Sequence, residues 1–482
     1  MRSAALLLLT CASLHGAIQL RADRATIRQA ALSWTGTGTQ PCRLERKGPN
    51  NTWPVVATST EGKASDTTIG PYGTYTYRVS CASAASNEVT IGPPPLGFHL
   101  ITAKPDKHSD SHYGRQITAA LDSNGDPCAA FVFQDPDNDG HYDDTQVLFQ
   151  AWDRAAYKWK PPVTIATVGN FDPRAPMVGL SLAHDSSNDA FAIVWITTDF
   201  HTVNMAVSRD GGATWSTKPA FTEGRAVMAA SIAMAGGKAH LAFHQSSKNA
   251  VRYMSGSLDD DPAKWQASFS PIPAGSPGPH NIVHLALDGE GKPAVVFWAR
   301  PAKENVSTLS FWRPGSDKAV TVADNGPSHA APAGVLLAFG GTQPRVVIDS
   351  HLDAADPTVH FSLSSDDAGA TWGKPVIIPD DGNQRLGGYM SFAVAPNGSA
   401  AFGGDVIGGN FTGMRCSWPK LSRTTDFKSW STCSAQGSAG MDTRTLWGTV
   451  IYNPAGTLYM FFQNRQVNPK QPLPPGLMIW GQ

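Results

Sequence analysis

Apolar and polar positions along this chain alternate in short runs, and the runs come in pairs. From Gly97 onward an apolar stretch, a turn and a second apolar stretch recur: Ile117 to Leu121 with Ala129 to Phe133, Val178 to Leu182 with Ala190 to Trp195, Val227 to Ala233 with Ala239 to Phe243, and Ile282 to Leu287 with Ala294 to Trp298. The series continues with Val335 to Ala338 and Val346 to Ile348, Tyr389 to Val394 and Ala400 to Gly403, and Leu446 to Tyr452 and Leu458 to Phe462. Runs of this length bounded by turn residues predict strands, and no long stretch has the spacing of an amphipathic helix. Seven units are counted, and in most a third strand and a tryptophan follow, as at Trp159, Trp265 and Trp430. A period of four strands per unit predicts a β-propeller. The last unit is one strand short after Gly476 to Trp480, and Phe98 to Thr102 is placed to supply it and close the ring.

Ahead of the repeat, Ala25 to Ile91 reads as short β segments, with Tyr75 to Val79 alternating in and out, and ends at the stiff linker Gly92-Pro93-Pro94-Pro95. The expected organisation is a secretory signal over 1–22, a β-sandwich over 23–92, a linker over 93–97 and the propeller over 98–482. The signal is read from Met1-Arg2 followed by the apolar Ala4 to Leu9, too short to span a bilayer, with cleavage open between Ala17 and Ala22. Export makes disulfides permissible, and Cys42 with Cys81 and Cys416 with Cys433 are the candidate pairs. Cys128, inside an apolar run, is expected to be a buried free thiol.

Composition changes the picture in two ways. Only 16% of residues are charged and the formal net charge is −1, so neither a nucleic-acid nor an anionic-membrane partner is indicated. The 46 Gly, 36 Pro and 14 Trp suit an all-β chain rich in turns. A secreted monomer is expected, with no cofactor required.

Two octapeptides are near copies: Ser208-Arg209-Asp210-Gly211-Gly212-Ala213-Thr214-Trp215 and Ser365-Asp366-Asp367-Ala368-Gly369-Ala370-Thr371-Trp372. Each follows an alternating run and so marks a strand end. The Asp and Ser side chains can accept from turn N–H groups, and the glycine supplies a positive φ. The octapeptide resembles the Asp box of the sialidase superfamily of β-propellers, and the N-terminal segment resembles a fibronectin type III or immunoglobulin-like module, for which a spacer or docking domain and a carbohydrate-binding module presenting Trp34 or Trp53 both stay open. Sialidases have six blades where the pairs here count seven, so six stays open beside seven.

Strand alternation puts the turns that enter each innermost strand, and those that leave each second strand, on one rim, with the boxes on the other. On the box-free rim Arg115, Arg174, Arg225, His280, His329, Arg385 and Arg444 precede the innermost strands, nearly one basic or titratable group per unit. Asp135, Asp199, His244, Arg300, His351, Asp405 and Arg465 follow the second strands. A solvated rim accounts for such charges without further cause. Alternatively, guanidinium groups converging on one axial pocket would bind a carboxylate, as of sialic or a uronic acid.

The resemblance implies roles for particular residues. Arg115, Arg300 and Arg385 match the family's carboxylate clamp, with Arg174 and Arg444 as further substrate-binding candidates, and Tyr389 matches its nucleophile. An unperturbed tyrosine is a poor nucleophile at neutral pH, so it needs a base. The family's glutamate is expected within Asn281 to Leu285, where none stands. Glu223 and Glu304 are the candidate substitutes on the same rim, with His284 or His280 as alternatives. Asp199 or Asp139 would be the acid that protonates the leaving oxygen.

Asp135, Asp137, Asp139 and Asp143 also fit a D-x-D-x-D-G loop with a carboxylate at its ninth position, the spacing that wraps Ca²⁺. A structural Ca²⁺ and a solvated acidic loop both stay open. Two functions follow: an exo-α-sialidase, or a propeller that binds an anionic glycan or a protein without turnover.

Overall fold

The structure, a computed structural model, describes residues 17–36, 40–82, 84–103, 112–134, 145–168, 179–197, 199–224, 227–274, 283–299, 308–324, 334–350, 359–379, 385–407, 420–432, 444–465 and 476–482. The chain divides into two compact units, Met1–Pro94 with Trp152–Lys158, and Pro95–Ala151 with Trp159–Gln482. The signal segment expected over 1–22 lies outside the described residues up to residue 16.

The smaller unit is built from two antiparallel sheets. One holds Gln19–Ala25, Ala30–Thr35 and Lys63–Asp66; the other holds Val55–Ser59, Cys42–Arg46, Tyr75–Cys81 and Ala84–Ala85, with Val89–Ile91 also on Tyr75–Cys81. Alternation puts Leu20, Leu32, Trp34, Leu44, Tyr77 and Val79 in its core. Cys42 and Cys81 are bonded to one another there. The buried Asp66 carboxylate accepts from Tyr77 Oη (2.9 Å), Thr68 Oγ1 (2.7 Å) and Arg46 Nη1 (2.8 Å), which satisfies a group that burial alone would leave costly.

The larger unit is a β-propeller. Among the described residues it forms seven antiparallel sheets, which decides the blade count in favour of seven. The innermost strands of blades 1 to 7 are His112–Leu121, Ser181–Asp185, Val227–Ala235, Val283–Leu287, Gly334–Gly340, Arg385–Val394 and Arg444–Tyr452. Each packs beside the next, and the seventh packs beside the first, so the ring is closed. In blade 7 the outermost strand is Gly97–Ala103, paired with Gly476–Gly481, so the first strand of the unit seals the last blade. The second strands carry the deepest side chains: Phe131, Phe191, Phe243, Phe297, Phe402 and Phe461 are fully buried between blades. Each is worth roughly 1.5 to 3 kcal/mol of apolar burial.

The two octapeptides turn the third strand into the outermost one in blades 2 and 5, as their residue types demand. Ser208 Oγ accepts from Gly212 N (2.9 Å), Asp210 Oδ1 from Thr214 N (2.9 Å), and Trp215 Nε1 donates to Gly212 O (3.0 Å). Ser365, Asp367, Gly369 and Thr371 repeat the first two bonds at 2.9 and 2.8 Å. Both turns dock on the preceding blade. A Cβ on Gly212 would lie 2.0 Å from Phe149, and one on Gly369 2.4 Å from Phe311. Their φ values of 84° and 97° are ones that glycine alone adopts readily. In the turn before Trp430 a shorter cap forms, Phe427 N donating to Thr424 Oγ1 (2.9 Å) three residues back rather than four. Cys128 is free and fully buried, and burial pushes its thiol well above the usual range.

Candidate functional site

The innermost strands surround an axial cavity of about 420 Å³. At one level of its wall Thr118, Ser181, Ser231, His284, Ser391 and Thr449 face it from six of the seven blades. Five of these side chains tie their blade to the next. Thr118 Oγ1 accepts from Leu182 N (3.2 Å), Ser181 Oγ from Ile232 N (3.1 Å), Ser231 Oγ from Leu285 N (3.1 Å), and Ser391 Oγ from Val450 N (2.7 Å). His284 takes the serine's part between blades 4 and 5, its Nδ1 accepting from Leu337 N (3.2 Å). A neutral ring accepting at Nδ1 carries its proton on Nε2. Burial lowers the His284 pKa to about 4, which keeps it in that neutral form.

Just before this level the innermost strands are irregular. Register shifts fall between Arg115 and Thr118, Met228 and Ser231, Leu386 and Met390, and Leu446 and Thr449. Gln116 and Ala229 take positive φ there, as does Gly179 in blade 2. Such bulges re-aim the backbone around a site. Tyr389 lies inside the blade 6 irregularity.

Three of the candidate arginines stand on described backbone. Arg385 and Arg444 are the first residues of the innermost strands of blades 6 and 7, paired with Ile407 and Arg465, and Arg115 pairs with Val132 in blade 1. Those three strands are consecutive around the ring, so the arginines share one arc of the box-free rim. Arg174, Arg300, Glu304, Asp139, the other loop carboxylates Asp135, Asp137 and Asp143, and the cysteines Cys416 and Cys433 lie outside the described residues. Among the described residues no three His, Cys, Asp or Glu side chains are grouped to hold a metal, and no helix is long and apolar enough to cross a membrane.

Glu223 is not near the axis. It follows the outermost strand of blade 2, Ser216–Thr222, and its Oε2 accepts from Gln245 Nε2 (2.7 Å) and Ser247 Oγ (2.6 Å) of blade 3. Arg252, in the third strand of blade 3, stacks its guanidinium over Phe221 (4.5 Å) and Phe269 (5.5 Å). Burial lowers the Arg252 pKa, and the charge of Glu223 opposes that. Burial likewise takes His244 to about 4 against the pull of Glu223. Glu223 thus closes a polar seam between blades 2 and 3, three blades around the ring from the strand of Tyr389.

Asp199, in the loop after the second strand of blade 2, accepts from Thr197 Oγ1 (2.5 Å) and His201 N (3.0 Å). Those bonds, the threonine's first, hold its pKa below the ordinary carboxylate value. A general acid needs the opposite shift, so this environment favours an ionised turn residue over a proton donor. In the smaller unit Trp34 is a core residue, while the ring of Trp53 is covered by Arg78 at 4.2 Å and Lys47 at 5.5 Å.

No protein-family model matches the chain, and no curated protein does. Among solved structures it is similar to a leech intramolecular trans-sialidase, with 10% identity over 98% of this chain and 92% of that one and a TM-score of 0.42. An α-L-arabinofuranosidase from Fusarium graminearum has 11% identity over 80% and 97% of the two chains, TM-score 0.44. The Aleuria aurantia lectin, in complex with α-methyl-L-fucoside, has 14% identity over 72% and 99%, TM-score 0.39. At such identities and superpositions these neighbours assign neither activity nor ligand to this chain.

Proposed function

We propose that the chain is a secreted propeller that binds a carboxylate-bearing glycan at the box-free mouth of its axial cavity. The observation that carries this is the arc of Arg385, Arg444 and Arg115 on three consecutive innermost strands. A guanidinium presents a planar fork that matches a carboxylate, and each such charge-assisted bond contributes about 1.5 to 3 kcal/mol. Below the arc, the Thr118 and Ser181 hydroxyls and the Nε2–H of His284 offer partners of the kind sugar hydroxyls need. The Cys42–Cys81 bond suits an oxidising, extracellular compartment.

Hydrolysis of a terminal sialic acid is the second reading, favoured by Tyr389, which shares an innermost strand with Arg385. Binding stands first because Glu223 and Asp199, the described carboxylates considered as base and acid, are engaged in structural bonds. Titrating the purified chain with sialyllactose and with a glucuronide should give binding that Arg385→Ala and Arg444→Ala each weaken about tenfold or more. Absence of binding to either ligand would refute the proposal. Turnover of a fluorogenic sialoside that Tyr389→Phe abolishes would replace it with the hydrolase.

A further inference from the structure

The two boxes are copies, but the surfaces beside them are not. Their shared residues make the same serine and aspartate bonds, so the turn accounts for those residues in both places. It does not account for the flanks. Met205 and Val207 precede the first box where Ser362 and Ser364 precede the second, and Arg209 stands where the second has Asp366. Lys218, the partner of Met205 on the outermost strand, corresponds to Val376, the partner of Ser362.

In blade 5 the space beside the box is taken. Trp430 from blade 6 donates its indole N–H to Ser362 Oγ (2.8 Å), and Arg345 reaches Asp366 (3.0 Å). Beside blade 2 the corresponding tryptophan, Trp265 of blade 3, turns its N–H back to Ser257 O (3.2 Å). A cavity of about 310 Å³ is left there, within the range of small-ligand sites.

The cavity is floored by the buried Met205 and Leu258, walled by Trp215 and rimmed by Arg209, Lys218 and Asp260. Because the Trp215 N–H is already bonded to Gly212 O, the indole has only its carbon surface to offer. Arg209 is paired with Asp259 (2.5 Å), and Lys218 and Asp260 bring one charge of each sign, so the rim is electrically balanced. An anionic ligand gains little from such a rim. A pyranose has the complementary surface: a C–H face for the aromatic wall, and hydroxyls that both donate to a carboxylate and accept from an ammonium. We propose that this groove between blades 2 and 3, on the box side, is a binding site for a neutral saccharide, independent of the axial mouth.

The full chain would be titrated by calorimetry and saturation-transfer NMR with the methyl glycosides of glucose, galactose, mannose, fucose and N-acetylglucosamine. At least one should bind in the millimolar range. Lys218→Ala and Asp260→Ala, both at exposed positions, should each weaken it about fivefold, the loss of one solvent-facing hydrogen bond, at unchanged melting temperature. Free sialic acid should not displace it. Absence of binding by all five glycosides at tens of millimolar, binding that both variants leave intact, or displacement by sialic acid would each overturn the proposal.

Discussion

Gly211 and Gly212 sit side by side in the first box, both left-handed, at φ 68° and 84°, yet they face different surroundings. A Cβ on Gly211 meets nothing within 4 Å, whereas one on Gly212 meets three atoms of the Phe149 ring between 2.0 and 2.8 Å. The ring cannot easily give way, since Phe149 is buried with its centroid 5.0 Å from Trp215 and 5.1 Å from Phe191. Gly211→Ala should therefore cost only the left-handed backbone penalty, about 1 to 2 kcal/mol. Gly212→Ala should add overpacking of about 1 to 3 kcal/mol, for roughly 2 to 5 kcal/mol together. Urea unfolding followed by tryptophan fluorescence reads the difference. Combining Gly212→Ala with Phe149→Leu should show favourable coupling of about 1 kcal/mol or more, while Gly211→Ala with Phe149→Leu should be additive. Equal costs for the two glycine variants would mean that the box does not bear on the neighbouring blade, and that the docking inferred for both boxes is mistaken.

Ser231→Ala leaves the amide of Leu285 without its buried partner and should cost about 1 to 3 kcal/mol; a melting temperature unchanged from wild type would show that the axial ring is not a tie between blades. His240, His244 and His284 have folded pKa values of about 4, below the unfolded value of about 6.5, so the unfolded chain takes up protons first; stability should be full above pH 6.5 and fall as pH drops toward 4, and a flat melting profile across that window would contradict the burial of these rings. Asp210 and Asp367, held near 2 chiefly by the threonine hydroxyls of their boxes, act lower: their contribution is present above about pH 4 and is lost as pH falls through 2. If the loop of Asp135, Asp137, Asp139 and Asp143 binds Ca²⁺, chelation should lower the melting temperature and added Ca²⁺ should restore it; insensitivity to both would leave it a solvated loop.

Paired apolar runs carried the propeller because each second strand is buried on both faces and reads as an unbroken apolar segment, as in Ala190–Ile196. Closure was legible for a similar reason. The last unit was visibly one strand short, and the one unassigned run, Phe98 to Thr102, had the length to fill it. The boxes were legible because their residues act on their own backbone, within four positions. Strand starts were less so: the run begun at Ile117 belongs to a strand that starts at His112, since bulges at Arg115 and Thr118 interrupt the alternation that would have announced it. The positive φ of Gln116 and Ala229 had no glycine to signal it.

The axial ring was written in the sequence but not as a motif. Thr118, Ser181, Ser231, Ser391 and Thr449 are single hydroxyls inside apolar strands, each unremarkable alone, and only their common level around one axis makes them a set. Glu223 shows the converse difficulty. Alternation along a blade tells on which rim a residue falls, and Glu223 is indeed on the box-free rim, one residue past Thr222. It does not tell the radius, because the end of an outermost strand and the start of the next innermost strand are only a few residues apart in sequence, yet at opposite edges of their blades. Radius is decided by which neighbour captures the side chain. Gln245 and Ser247 hold the Glu223 carboxylate in the seam between blades 2 and 3, whereas Arg385 and Arg444, as the first residues of innermost strands, have their backbone at the inner edge. A carboxylate at the end of an outermost strand is therefore a candidate for the seam between blades first, and for axial chemistry only where the next blade offers no donor to hold it.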